Sequence, residues 1–302
     1  MSLQGRANGQ LGPILGHAVF AALVSFVIGL LIVGTALLCS PKARAGARTL
    51  IGLLRSRTMP WWMLLGGLSG GLVVIAQSLT VPIMGVAMFT MTFVSGQVTG
   101  GLIVDSTRLP PGGRQRLTVV RVIGVLVVIA ALVFEASERL DLGVPAWALL
   151  LPFASGALTT VQQAFNGRIK AGTDSAIVAT TVNFAVGFAA LLIASVIIMS
   201  AGVTWTGFPI EPTRWWTLLG GAFGVLFIGL TALTVSRLGV LLLSLFSLFG
   251  NLLGALLLDL LLPIPGSLVS TTTVISAVLV LAGIAITIMP SSGNRRGPSS
   301  RT

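Results

Sequence analysis

The chain has 302 residues, 55% hydrophobic and 8% charged, with a formal net charge of +11. Soluble domains carry about one quarter charged residues, so this composition excludes a soluble enzyme built on buried helices. The single cysteine, Cys39, excludes an intrachain disulfide and a multi-cysteine metal site, and basic residues dispersed between apolar runs do not form a nucleic-acid-binding face.

Residues 1–16 are mixed in character and too few to cross about 30 Å of hydrocarbon at about 1.5 Å per residue; they are expected on the outer side of the membrane. His17–Leu38 form the first complete span. His17, the lone histidine, reads as a polar residue near a helix start rather than a catalytic base. Lys42, Arg44, Arg48, Arg55 and Arg57 follow in a basic loop, whose apolar middle, Thr49–Leu54, suits a short interfacial helix. Pro60 opens the second span, Trp61–Thr80, with Trp61 and Trp62 at the interface. Pro82 predicts a break, and Ile83–Val104 form the third span, with Met84, Met88 and Met91 as packing residues.

A second basic loop, Asp105–Arg121, contains the turn-forming Leu109-Pro110-Pro111-Gly112-Gly113 and Arg108, Arg114 and Arg116. Val119–Phe134 make the fourth span, followed by an acidic connection with Glu135, Glu138 and Asp141. The fifth and sixth spans, Trp147–Phe165 and Ile177–Met199, flank a charged joint at Arg168, Lys170 and Asp174. Trp215–Val235 form the seventh span, Arg237 marks a tight connection, and Gly239–Leu260 form the eighth, closed by Pro263–Gly266. Val269–Met289 form the ninth, and the Gly/Ser/Arg-rich residues 291–302 read as a disordered tail.

With both long basic loops cytoplasmic, strict alternation places every Lys and Arg inside except Arg6, Arg139 and Arg214. Glu135, Glu138, Asp141 and Glu211 fall outside, as the positive-inside rule requires. The C-terminus is then cytoplasmic.

The chain also repeats itself. Trp61-Trp62, Leu64-Leu65-Gly66-Gly67, Gly70, Gly85, Gly96, Gly100 and Asp105 recur 154 residues later, from Trp215-Trp216 to Asp259. Asn8-Gly9, Phe26 and Gly29 recur 158 residues later as Asn166-Gly167, Phe184 and Gly187. Under the alternation above the copies are inverted, a transporter device. The expected organisation is residues 1–143 as a first repeat with four complete spans, residues 144–290 as a second with five, and a tail. Gln4 aligns with Gln162, so the first copy begins near the end of its first helix. A start codon placed too late explains this most simply; natural loss and replacement by another subunit are the alternatives.

The pattern Gln-x-x-x-Asn-Gly, then Ser/Asn-Phe-x-x-Gly, then Trp-Trp-x-Leu-Leu-Gly-Gly occurs twice. It occupies Gln4–Gly9, Ser25–Gly29 and Trp61–Gly67, then Gln162–Gly167, Asn183–Gly187 and Trp215–Gly221. It resembles the YdcZ (DUF606) family of the drug/metabolite transporter superfamily, over residues 4–289. The resemblance implies an all-α polytopic protein of the inner membrane, with two inverted five-helix halves and a transport role. It also implies a distant likeness to four-helix multidrug exporters, which couple protons through a glutamate in their first helix. Here the corresponding region offers Gln162, not a carboxylate.

Amides inside a span are costly unless paired. Gln162, Gln163, Asn166, Asn183, Gln77, Gln97 and Asn251 are therefore the candidate solute-binding residues, with Ser78 nearby; interhelical bonding is the competing role. Gln97 and Asn251 align at the 154-residue offset. Glu135, near the outer boundary and open to water in this reading, and Asp105 and Asp259, at span ends, are candidates for ion coupling or gating. The glycine faces read as helix packing. No paired carboxylates, metal cluster or nucleophilic triad occurs, so the chain is expected to be no enzyme and to need no bound cofactor. The expected partner is a small polar or amphipathic solute moved by alternating access. A flippase for a lipid-linked intermediate and a non-transporting scaffold are the alternatives. A homo-oligomer, or a partner supplying the missing helix, fits the same sequence.

Overall fold

The computed structural model describes residues 1–114, 117–263 and 269–288, with the side chains of all but 228–247 and 288. Its described elements are helical: α1 (Ser2–Leu15), α2 (Ala18–Cys39), α3 (Pro41–Arg55), α4 (Gly66–Asp105), α5 (Val119–Asp141), α6 (Ala146–Thr173), α7 (Ala176–Ser200), α8 (Gly220–Leu261) and α9 (Thr271–Ile288). Short 3-10 segments, Trp61–Leu65 and Pro212–Leu219, lead into α4 and α8. Among the described residues at least four helices are long and apolar enough to cross a membrane. The protein is an all-α, multi-pass bundle. The Pro263–Gly266 turn (beyond Pro263), Arg116 and the tail lie outside the described residues.

Residues 2–15, expected to fall short of a span, are helical. They form α1, whose Gln4, Arg6, Asn8 and Leu11 are buried. The sequence expectation weighed length against a full bilayer crossing; a half-length helix instead sits between other helices, which cover its polar residues. His17 ends up where expected: its Nδ1 accepts the Val19 N–H at 3.2 Å and caps α2. Ser40 caps α3 from its side chain, and Pro41 occupies the first turn, where its missing N–H costs nothing. The helix is thus longer than Thr49–Leu54.

The break in α4 falls at Gly85 (φ 80°, ψ 171°), three residues past Pro82. Proline is tolerated near the end of a helical segment, whereas this backbone geometry needs a residue without Cβ. Gly66 lies against Gln162 and Phe165, while Gly100, at the other end of α4, lies against Ala157 and Thr160. A straight helix of 40 residues could not touch one stretch of α6 with both ends; α4 therefore folds back at Gly85. Met84, Met88 and Met91 fill the largest core with Val128, Leu149 and Ile284. Arg168 and Lys170, read as a loop joint, lie within α6, which ends at Asp174 in a left-handed conformation (φ 48°).

The crossing of α2 and α7 is reciprocal. Phe26 packs on Phe184 with ring centroids 5.0 Å apart. Gly29 faces the Phe184 ring and Gly187 faces the Phe26 ring. A side chain on Gly67 would strike the Asn183 carbonyl and the Gly187 N–H; one on Gly221 would strike the Ser25 carbonyl and the Gly29 N–H. In the pair α5–α9, Gly124 meets Thr287 and the Gly283 carbonyl, while Gly283 meets Val128 and the Gly124 carbonyl.

Contacts also sort the connections into two ends. At one, Lys42 bonds Asp174 at 2.8 Å and Arg168 donates to the carbonyls of Arg108 and Leu109. At the other, Thr206 N–H donates to the Leu15 carbonyl at 3.3 Å, and Ser270 donates to Glu138 at 3.3 Å.

Candidate functional site

Two amide joints flank the Phe26–Phe184 crossing. In the first, Asn8 of α1 donates to Gln77 Oε1 on α4 at 2.7 Å and accepts from Ser25 Oγ on α2 at 2.6 Å. In the second, Gln162 of α6 donates to Asn183 Oδ1 on α7 at 2.7 Å. All five side chains are buried. The joints are closed by glycines from the opposite repeat. Gly70 of α4 sits beside Asn183, Gln162 and Phe26, while Gly220 and Gly224 of α8 sit beside Asn8, Ser25 and Gln4. Only glycine lets backbone approach this closely.

The other expected residues scatter. Asn166 is half-buried beside the second joint, one turn along α6 from Gln162. Gln163 is exposed, because it lies about 100° around the helix from Gln162. Gln97 is half-buried where α4 passes Gly156, and Asn251, half-buried, accepts from Ser2 Oγ at 2.7 Å through its carbonyl. Ser78 lies against Gly12.

Asp105 and Asp259 match in the repeat but not in environment. Asp105 is half-exposed and pairs with Arg121 at 3.3 Å. Asp259 is buried, and its carboxylate accepts the Ala87 N–H at 2.6 Å. It caps the half of α4 that restarts after Gly85, where the first N–H groups have no helical partner. Glu135 does not face water: it is 0% exposed and paired with Arg139, itself 1% exposed, at 2.9 Å. Thr273 of α9 donates to Glu135 and accepts from Arg139, each at 2.8 Å. Removing one partner of such a pair leaves a buried charge uncompensated.

Sequence reasoning missed Asn8, Ser25, Arg6 and Arg139 as site residues. Asn8 and Ser25 were legible through their alignment with Asn166 and Asn183. Arg6, 6% exposed, aligns with Ala164, so the repeat gives no signal for it. Its burial follows only once α1 lies inside the bundle. At the opposite end, Lys42 hydrogen-bonds Asp174 and holds its carboxyl below the ordinary carboxylate range.

Among the described residues no group of three His, Cys, Asp or Glu side chains could hold a metal ion. No curated protein matches the chain. The family described as "Putative inner membrane exporter, YdcZ" matches residues 1–134 and 147–286, most of the length. The chain therefore belongs to the YdcZ family of the drug/metabolite transporter superfamily, a multi-pass inner-membrane protein with a transport-related role.

Proposed function

We propose that the protein is a secondary transporter that moves a small polar or amphipathic solute by alternating access between two inverted halves. The observation that carries this reading is the reciprocal crossing: Phe26 with Gly29 meets Phe184 with Gly187, and each amide joint is closed by glycines of the other repeat. Self-complementary contacts of this kind arise from two-fold relations. Halves related in that way can exchange conformations and open alternately to each side.

Gln162, Asn183, Asn8, Ser25 and Gln77 form the solute site in this reading, with Asn166 at its edge. In the described conformation these groups bond one another. A solute enters by exchanging their mutual bonds for its own, so the site suits hydrogen-bonding solutes without a fixed net charge. Gln97 and Asn251 belong to helix packing. Asp105, Asp259 and Glu135 govern gating through ion pairs and helix capping, not as the first-helix carboxylate of the multidrug exporters. The end that carries Lys42, Arg44 and Arg168 faces the cytoplasm, as the positive-inside rule favours. Nine spans follow, with four complete ones in residues 1–143 and five in 144–290, and a cytoplasmic C-terminus.

The test is solute flux. Purified protein in proteoliposomes, offered a panel of neutral and zwitterionic metabolites, should accumulate at least one of them. Gln162→Leu and Asn8→Leu should each lower the rate at least tenfold while the protein stays folded. Absence of flux and of binding across the panel, with folded protein, would overturn the proposal in favour of a scaffold.

A further inference from the structure

Among the described residues two arginines are buried, Arg6 at 6% exposure and Arg139 at 1%. Arg139 is held: its guanidinium bonds Glu135 and Thr273. Arg6 is not: its Nη1 lies inside the bundle without a hydrogen-bond partner. A guanidinium stays charged and offers only N–H donors, so an open nitrogen there is costly. An open acceptor accompanies it. Glu135 Oε1 takes the bonds from Arg139 and Thr273, while the buried Oε2 takes none.

Asp259 connects the two groups, because it lies within electrostatic reach of both Arg6 and Arg139. Two cations, Arg6 and Arg139, thus face two anions, Asp259 and Glu135. Charge balances across this cluster, whereas hydrogen bonding does not. Position matters as well. Ser2, one turn before Arg6, donates to the Asn251 carbonyl and lies beside Gly254. Asp259 lies further along α8, toward Leu261, where it caps the second half of α4. Arg6 therefore looks toward that end, and a continuation of α1 ahead of Met1 would run the other way, past Gly250. Asn8 lies about 200° around α1 from Arg6, so one helix carries an amide joint on one flank and the open guanidinium on the other.

We propose that Arg6 anchors the carboxylate of the transported solute, and that the solute is a zwitterion whose ammonium group faces Glu135 and Asp259. Guanidinium and carboxylate match in charge and in forked geometry. The balanced cluster selects against the alternatives: an anion alone adds an uncompensated negative charge in a low-dielectric interior, and a cation alone leaves Arg6 open. The inference deepens the transport reading and rests on it for the word "transported"; the binding site itself stands on the cluster.

The test titrates full-length protein in nanodiscs with a panel of α-amino acids and reads binding by tryptophan fluorescence. Each amino acid is compared with its α-amide, which lacks the carboxylate, and with its deaminated acid, which lacks the ammonium. At least one amino acid should bind at least tenfold more tightly than both analogues. That preference over the amide should vanish in Arg6→Gln, a change that a purely structural arginine would not produce. Arg6→Lys should keep a reduced preference, and it carries the test if Arg6→Gln does not fold. No binding across the panel, equal binding of either analogue, or a preference that survives at full size in these variants would overturn the proposal. Flux of a solute without a carboxylate, unchanged by Arg6→Gln, would sink this inference and keep the transport reading. Arg6-dependent binding of an amino acid without flux would keep the site and sink the transport reading.

Discussion

The two amide joints come from one motif and bond differently. In the second joint the glutamine, Gln162, reaches Asn183 on the next helix. In the first the residue matching Asn183 is Ser25, too short to reach Gln4; it bonds Asn8 instead, and Asn8 turns its amide to Gln77. Gln4 Oε1 is left buried without a partner. A difference of a few side-chain atoms at one position thus moves the polar contact one helical turn along the first helix and brings in α4. The backbone scaffold is the same on both sides, because Gly67 and Gly221 press on equivalent carbonyls. What the joints share is backbone contact between glycine and carbonyl; what they do not share is side-chain length.

The comparison can be broken hardest at the backbone. Gly67→Ala and Gly221→Ala each place a methyl group against a main-chain carbonyl that cannot rotate away. Each should cost about 3 kcal/mol, as overpacking of a tight contact does, read by unfolding in mixed micelles. Equal losses at the two positions are expected, and a large loss at only one would show that the joints do not share a scaffold. Next comes Asn8→Leu, which removes two interhelical bonds. At about 0.6 kcal/mol per bond and up to about 1.7, it should cost about 1–2 kcal/mol, while Asn166→Leu at the matching position should be nearly neutral. Asn183→Ser gives the second joint the shorter side chain of the first; it should cost about 1 kcal/mol for the single bond lost to Gln162.

The smallest effect belongs to Asp174→Asn. Its carboxyl is lowered mainly by the hydrogen bond from Lys42, then by the charges of Lys42 and Lys170. A depressed carboxyl stabilises the fold above its unfolded value and stops doing so as pH falls through its folded value. The side chains of Lys42 and Asp174 are 71% and 88% exposed, so salt screens the pair. The substitution should leave the melting temperature unchanged within scatter at neutral pH, and Asn keeps the left-handed backbone there at little cost.

Much of this was readable from residues alone. The repeat showed because Trp, Gly, Gln and Asn return at fixed spacing. Gly67, Gly70, Gly96, Gly100 and Gly221 proved to be close-packing points because a small residue is informative wherever helices cross. The burial of α1 was not readable: its length argued against a span, and only neighbouring helices show that a half-length helix can be enclosed. The break at Gly85 was masked by Pro82, the stronger local signal, because the left-handed backbone is visible only in the fold. Glu135 looked solvent-facing from its place at a span end. Its partner Arg139 lies one turn away, but Thr273, which completes the cluster, lies 138 residues further on. Chain-distant polar partners leave no local pattern.

The inverted relation between the halves is tested most directly by cysteine accessibility in intact inner-membrane vesicles and spheroplasts. With Cys39→Ser as background, Arg44→Cys on α3 and Ile210→Cys before α8 should react with impermeant reagents from opposite sides, Arg44→Cys from the cytoplasm and Ile210→Cys from outside. Reaction of both from the same side would contradict the inverted halves and, with them, the proposed transport mechanism.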